Sequence, residues 1–177
     1  MKIFHRFAFP VFILLFVSSC HIKKSAVSRN TGNLSTSEKK EYYSKKFGIA
    51  LDRESNLNLY ASIDKWYGVK YKLGACDHHG IDCSCLVNEI FKEVYRCNTP
   101  RSTKELYGKI KKINKDRLKE GDLVFFKMTG KKIDHVGIYL SEKKFVHAST
   151  KGGVMISSLD EEHFMKTFKT GGRLRCS

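Results

Sequence analysis

Apolar residues follow two periods along this chain, and the change from one to the other divides it. Between Asp82 and Arg96, the residues Leu86, Val87, Ile90, Phe91, Val94 and Tyr95 recur at i, i+1, i+4 and i+5, while Asn88, Glu89, Lys92, Glu93 and Arg96 take positions between them. That spacing sets an apolar face against a polar one on a helix. Asp82 is an N-cap type directly ahead of the run, so the helix is predicted to start at Cys83 and stop near Arg96. Arg53 to Tyr67, with Leu57, Tyr60, Ala61, Ile63 and Trp66, reads as an earlier helix closed by Gly68. Tyr71 to Ala75 reads as a turn and Asn98 to Ser102 as a loop, after which Ser102 or Thr103 caps a short helix through Tyr107.

The second half alternates instead. Leu123 to Lys127 is a short apolar run behind the turn residues Glu120-Gly121-Asp122. His135, Gly137 and Tyr139 alternate with Val136, Ile138 and Leu140; Phe145, His147 and Ser149 alternate with Val146 and Ala148. Ser141-Glu142-Lys143 between the two runs suits a tight hairpin. Gly153 to Ser157 is a further strand, Asp160 to Phe168 a short helix and Gly172 to Cys176 a last strand. Helices followed by an antiparallel sheet make the class α+β, with N-terminal helices packed on a central antiparallel sheet. The hairpin sets His135 and His147 on one face of adjacent strands, roughly opposite, where Cβ atoms lie about 4.5–5.5 Å apart. A helix packed on that sheet would bring Cys83 over them.

The first residues belong to no such pattern. Lys2 and Arg6 precede an apolar stretch from Phe7 to Val17, too short to span a bilayer and suited to a signal peptide over residues 1–19. Val17-Ser18-Ser19-Cys20 looks like a bacterial lipobox, which makes Cys20 the expected lipidation site and membrane anchor, at the outer membrane facing the periplasm in preference to the plasma membrane. Residues 20–40, rich in Ser, Lys, Asn and Thr, read as a tether. One domain is then expected over residues 41–177. The formal charge of +15 stays strongly positive once Lys2 and Arg6 are removed. In an exported chain with scattered lysines it points to anionic envelope polymers and headgroups rather than to nucleic acid.

Export also permits disulfides. With Cys20 lipidated and Cys83 free, the remaining Cys76, Cys85, Cys97 and Cys176 allow three pairings, and sequence does not choose among them. Cys83 at the first helical position meets unpaired N–H groups that favour a thiolate, although Asp82 beside it opposes this. A nucleophile, a base and a group to orient the base would be present in Cys83, His135 and His147.

Together, Tyr71-Lys72-Leu73-Gly74, Gly80-Ile81-Asp82-Cys83-Ser84, Pro100-Arg101-Ser102-Thr103, Glu120 to Phe126, Asp134 to Tyr139 and Phe145 to Ser149 resemble the NlpC/P60 family of papain-like cysteine peptidases that cut bacterial cell-wall peptides. The likeness covers roughly Tyr60 to Arg175. It implies Cys83 as nucleophile, His135 as general base and His147 as the third polar residue. It also implies Tyr71 near the reacting carbonyl, with Ser84 and Arg101 lining the cleft. The substrate class implied is peptidoglycan stem or cross-link peptides, cut as an amide by a thiolate–imidazolium pair without metal or cofactor. Cys85 departs from the glycine usual there and is expected to be a tolerated small core residue. Three other readings compete. One is an N-acetylmuramoyl-L-alanine-type amidase using the same site. Another is a non-catalytic wall-binding lipoprotein. The third is a zinc site drawn from Cys76, His78, His79, Cys83 and Cys85.

Overall fold

A computed structural model describes residues 33–176; the expected signal peptide and Cys20 lie outside them. Three helices come first: α1 (Thr36–Phe47), α2 (Leu57–Trp66) and α3 (Cys83–Tyr95), with the two-residue strands β1 (Cys76–Asp77) and β2 (Gly80–Ile81) pairing just before α3. Then follow α4 (Thr103–Lys109), β3 (Ile110–Ile113), β4 (Leu123–Phe126), β5 (His135–Tyr139), β6 (Lys144–Ser149), β7 (Gly153–Ser158), α5 (Glu162–Thr167) and β8 (Phe168–Leu174). The α+β class is as expected. No described helix is long and apolar enough to cross a membrane.

Helix α1 begins inside the stretch read as tether. Ser35 caps it, accepting the Glu38 N–H while Glu38 accepts the Ser35 N–H, and Tyr43 and Phe47 are buried. This reciprocal cap satisfies two N–H groups in a segment whose Lys- and Ser-rich composition hides the helix. At its other end Gly48 takes a left-handed conformation. Helix α2 starts at Leu57, four residues later than the spacing suggested, because Asn56 accepts the N–H groups of Asn58 and Leu59.

The main sheet runs β3-β8-β4-β5-β6-β7, all antiparallel. Strand β8 is longer than expected and lies inside the sheet between β3 and β4. One sheet face (Leu123, Phe125, Val136, Ile138, Val146, Ala148) packs against Leu59, Ile63, Leu86, Val87 and Ile90 of the helices. The other carries Val124, Phe126 and Phe145, covered by Leu159 and Phe164. Strand β4 is buried on both faces, which explains its unbroken Leu-Val-Phe-Phe run. At Gly137 an added Cβ would come 2.6 Å from the Phe145 ring and 2.8 Å from the Val146 carbonyl, so glycine lets β5 and β6 pass this closely.

Candidate active site

Asp82 organises the start of α3. Its Oδ1 accepts the Cys85 N–H at 2.7 Å, and its Oδ2 accepts the Gly74 N–H at 3.0 Å. Its own N–H donates to the Ala75 carbonyl at 3.1 Å. Capping thus also joins the helix to the segment that carries Tyr71, which itself bridges Ile81. With the Cys85 N–H taken, the N–H groups of Cys83 and Ser84 remain at the helix end.

Cys83 is buried at 7 % exposure. Its Sγ lies 3.7 Å from Thr103 Oγ1, and the backbone N–H groups of Val136 and Ser84 are directed at it. Burial raises the thiol above its ordinary value; the hydrogen bonds from Thr103, Val136 and Ser84 oppose this, and the Asp82 charge adds to it. The Val136 contact is the informative one, because Val136 follows His135 in the chain. Helix and strand therefore meet at the first residues of each.

His135 Nε2 is 2.9 Å from His147 Nδ1, and His147 Nε2 is 3.2 Å from Ser157 Oγ. The two histidines are diagonal rather than opposite. The pairing of Ile138 with Val146 and Tyr139 with Phe145, continued along the strands, sets His147 across from Gly137. Diagonal neighbours remain in reach for rings. Nor does α3 lie over the histidine face, as the sequence suggested. Val136 and Val146 face the helix, and the rings of His135 and His147 face the other way, against Phe126, Phe145 and Phe164. The cysteine instead approaches the end of β5.

This setting is dry. Burial lowers His135 to about 4, with Asp134 opposing and His163 adding to the effect. Burial, helped by the charge of His135, lowers His147 to about 3. Burial thus disfavours the charged forms of the thiol and of both rings, a pull against the expected thiolate–imidazolium pair. The cause is desolvation, which penalises every charged form.

Ser84 is buried, its Oγ 2.9 Å from Asp82 Oδ1 and 2.7 Å from the Arg101 carbonyl, so it ties the helix start to the loop before α4. The Arg101 side chain is exposed. Tyr71 is half-buried; burial raises its phenol, and the charges of Cys83 and Asp82 add to this, so a neutral hydroxyl stands close to the thiol. Sequence reasoning missed Thr103 as a neighbour of Cys83 and Ser157 as a neighbour of His147. Counting the alternation of β6 across one more strand would have found Ser157.

The cysteines pair as Cys76–Cys85 and Cys97–Cys176, and Cys83 is the free one among the described residues. Cys85 is therefore not a plain core residue: it anchors the β1–β2 hairpin to the helix bearing Cys83. The pairing also breaks up the zinc set. Cys76, Cys85 and Glu89 do lie together, with ligand atoms within 4.8 Å of one another, but both sulfurs are spent on the bridge. The His78 ring stacks on Trp66 at 4.3 Å.

Comparison with known proteins gives a family match. Residues 68–173 match the NlpC/P60 family. The chain is 44 % identical over 111 residues to a probable endopeptidase NlpC homolog of Haemophilus influenzae, an alignment covering 63 % of this chain and 58 % of that one. It is 42 % identical over 109 residues to murein DD-endopeptidase MepS/murein LD-carboxypeptidase of Escherichia coli K12, covering 62 % and 57 %. The match thus spans under three fifths of either relative. Among solved structures, a protein of Staphylococcus aureus Mu50 described as similar to lipoprotein, NLP/P60 family, superposes with a TM-score of 0.63 at 16 % identity over 81 % of this chain and 63 % of that one. At that identity the likeness speaks for the fold.

Proposed function

This chain belongs to the NlpC/P60 family, and on that premise we propose that it is a cysteine peptidase cutting an amide bond in the stem or cross-link peptides of peptidoglycan. The observation that carries the reading is the meeting of Cys83 Sγ with the N–H of Val136, next to a His135 that is itself hydrogen bonded to His147. The names of the relatives supply the substrate class.

In the proposed reaction Cys83 Sγ attacks the amide carbon and its proton passes to His135 Nδ1, the ring nitrogen not engaged by His147. Transfer during attack suits a site whose burial favours the neutral form of both groups. Negative charge forms on the carbonyl oxygen, where the Cys83 N–H at the start of α3 and the Tyr71 hydroxyl are the donors to hand. His135 returns the proton to the leaving amine as the C–N bond breaks, leaving a thioester on Cys83. Water then attacks the thioester, giving its proton to His135; the acid departs and the thiol is restored. Ser84 holds the helix start and Arg101 offers its charge at the rim for a substrate carboxylate. No metal or cofactor takes part. Such a substrate belongs to the cell envelope, and the lipobox at Cys20 supports a lipid anchor, with the outer membrane facing the periplasm as its site.

The test is digestion of isolated sacculi by the purified protein, with products identified by mass. A new amine and carboxyl within the stem or cross-link peptides supports the reading. Release of whole stem peptides from glycan would replace it with the amidase, and intact sacculi would count against an enzyme.

A further inference from the structure

His135 and His147 do not complete their chain of hydrogen bonds. Resting on the peptidase reading, we infer that Ser157 is a positioning residue that sets the tautomer of the catalytic histidines. The direction of each bond follows from the chemistry at the far end. For His135 Nδ1 to take the thiol proton it must be bare, so the neutral ring carries its hydrogen on Nε2. That hydrogen points at His147 Nδ1, 2.9 Å away, which must then accept. A neutral His147 that accepts at Nδ1 carries its hydrogen on Nε2. The atom facing Nε2 is Ser157 Oγ at 3.2 Å, which accepts it. Reversing the last bond reverses the whole series and leaves His135 Nδ1 protonated, unable to act as a base.

The site gives this hydroxyl weight. His147 is 2 % exposed and Ser157 6 %, so water is a poor substitute. The rest of the His147 ring is enclosed by Phe145 and Phe164, which offer no acceptor. Placement comes from the sheet: His147 pairs with Met155 and Phe145 with Ser157, so Ser157 is a diagonal neighbour of His147 as His147 is of His135. The same offset, repeated across β5, β6 and β7, lines up the three polar side chains. Burial favours the neutral form of both rings. Before the reaction Ser157 therefore acts by choosing a tautomer.

The experiment compares full-length wild type with Ser157→Ala and Ser157→Thr, by hydrolysis of a defined muropeptide and by ¹⁵N spectra of the histidine rings near neutral pH. Ser157→Ala should lower kcat on the order of tenfold, the weight of one hydrogen bond, with KM unchanged. Ser157→Thr, which keeps an oxygen at the same atom, should recover most of it. In the spectra, His147 should show a protonated Nε2 in wild type and the threonine variant, and a mixture of tautomers in alanine. Wild-type kcat in Ser157→Ala would overturn the inference, as would an equal loss in both variants or His147 protonated at Nδ1 in wild type. The spectra need no substrate. If wild type hydrolyses nothing yet its His147 tautomer depends on Ser157, the peptidase reading fails and the tautomer assignment stands.

Discussion

Acid should destabilise this protein well before its carboxylates are protonated, because folding buries two imidazoles in neutral form. An unfolded histidine titrates near 6.5, while His135 in the fold is lowered to about 4 and His147 to about 3. The sign follows from linkage: a lowered value means that the unfolded chain binds protons first, so stability is complete above about 6.5 and declines as pH falls toward the folded values. At pH 5 each unfolded ring is nearly all charged and each folded ring nearly all neutral, a difference of about 2 kcal/mol per ring and on the order of 4 kcal/mol for the pair. That is a large part of an ordinary domain's stability of about 5–15 kcal/mol. The assay is urea unfolding followed by circular dichroism at pH 7.5 and pH 5, for wild type and for a His135→Asn/His147→Asn variant. Wild type should lose stability steeply over this range and the variant much less. Equal losses in the two proteins would refute the reasoning, because the histidines would then not be buried neutral. The same lowering predicts that the acid limb of kcat/KM lies nearer 4 than 6.5, measured at short times before unfolding.

Three further outcomes follow. His147→Ala should lower kcat by roughly 10²–10⁴, by analogy with orienting residues in triads, and His147→Asn should keep more activity because it retains an acceptor for His135; both are read on a defined muropeptide. Removing the Cys97–Cys176 bridge, which spans a sequence separation of 79, with a Cys97→Ser/Cys176→Ser variant should cost about 4–5 kcal/mol on the loop-entropy estimate, measured by urea unfolding. Cys85→Ala should expose one titratable thiol at Cys76 and lower stability by about 3 kcal/mol on the same estimate, with a smaller loss of activity than Cys83→Ala.

Much of this was legible in the chain because single elements carried it. The apolar face of α3 and the cap at Asp82 put Cys83 at a helix start, and the alternation in β5 and β6 put both histidines on one face. What escaped depends on contacts far apart in sequence. Strand β3 has four residues, two of them lysines, and is a strand because it pairs with β8, far along the chain, from Ile110 with Leu174 to Ile113 with Gly171. Disulfide choice depends on which loops the fold brings together. The direction from which Cys83 arrives also needs the packing: residue parity places His135 and His147 together but does not say that α3 covers Val136 and Val146 instead. The lowered histidines reflect burial under Phe126, Phe145 and Phe164, and Phe164 comes from a helix after the sheet strands that carry them.

The most direct test compares hydrolysis of one defined cross-linked muropeptide by wild type and by Cys83→Ala, with folding of both verified by circular dichroism. Wild type should release products cut at a peptide amide, and Cys83→Ala, equally folded, should release none. Hydrolysis by folded Cys83→Ala at a rate near that of wild type would contradict the assignment of Cys83 as the nucleophile.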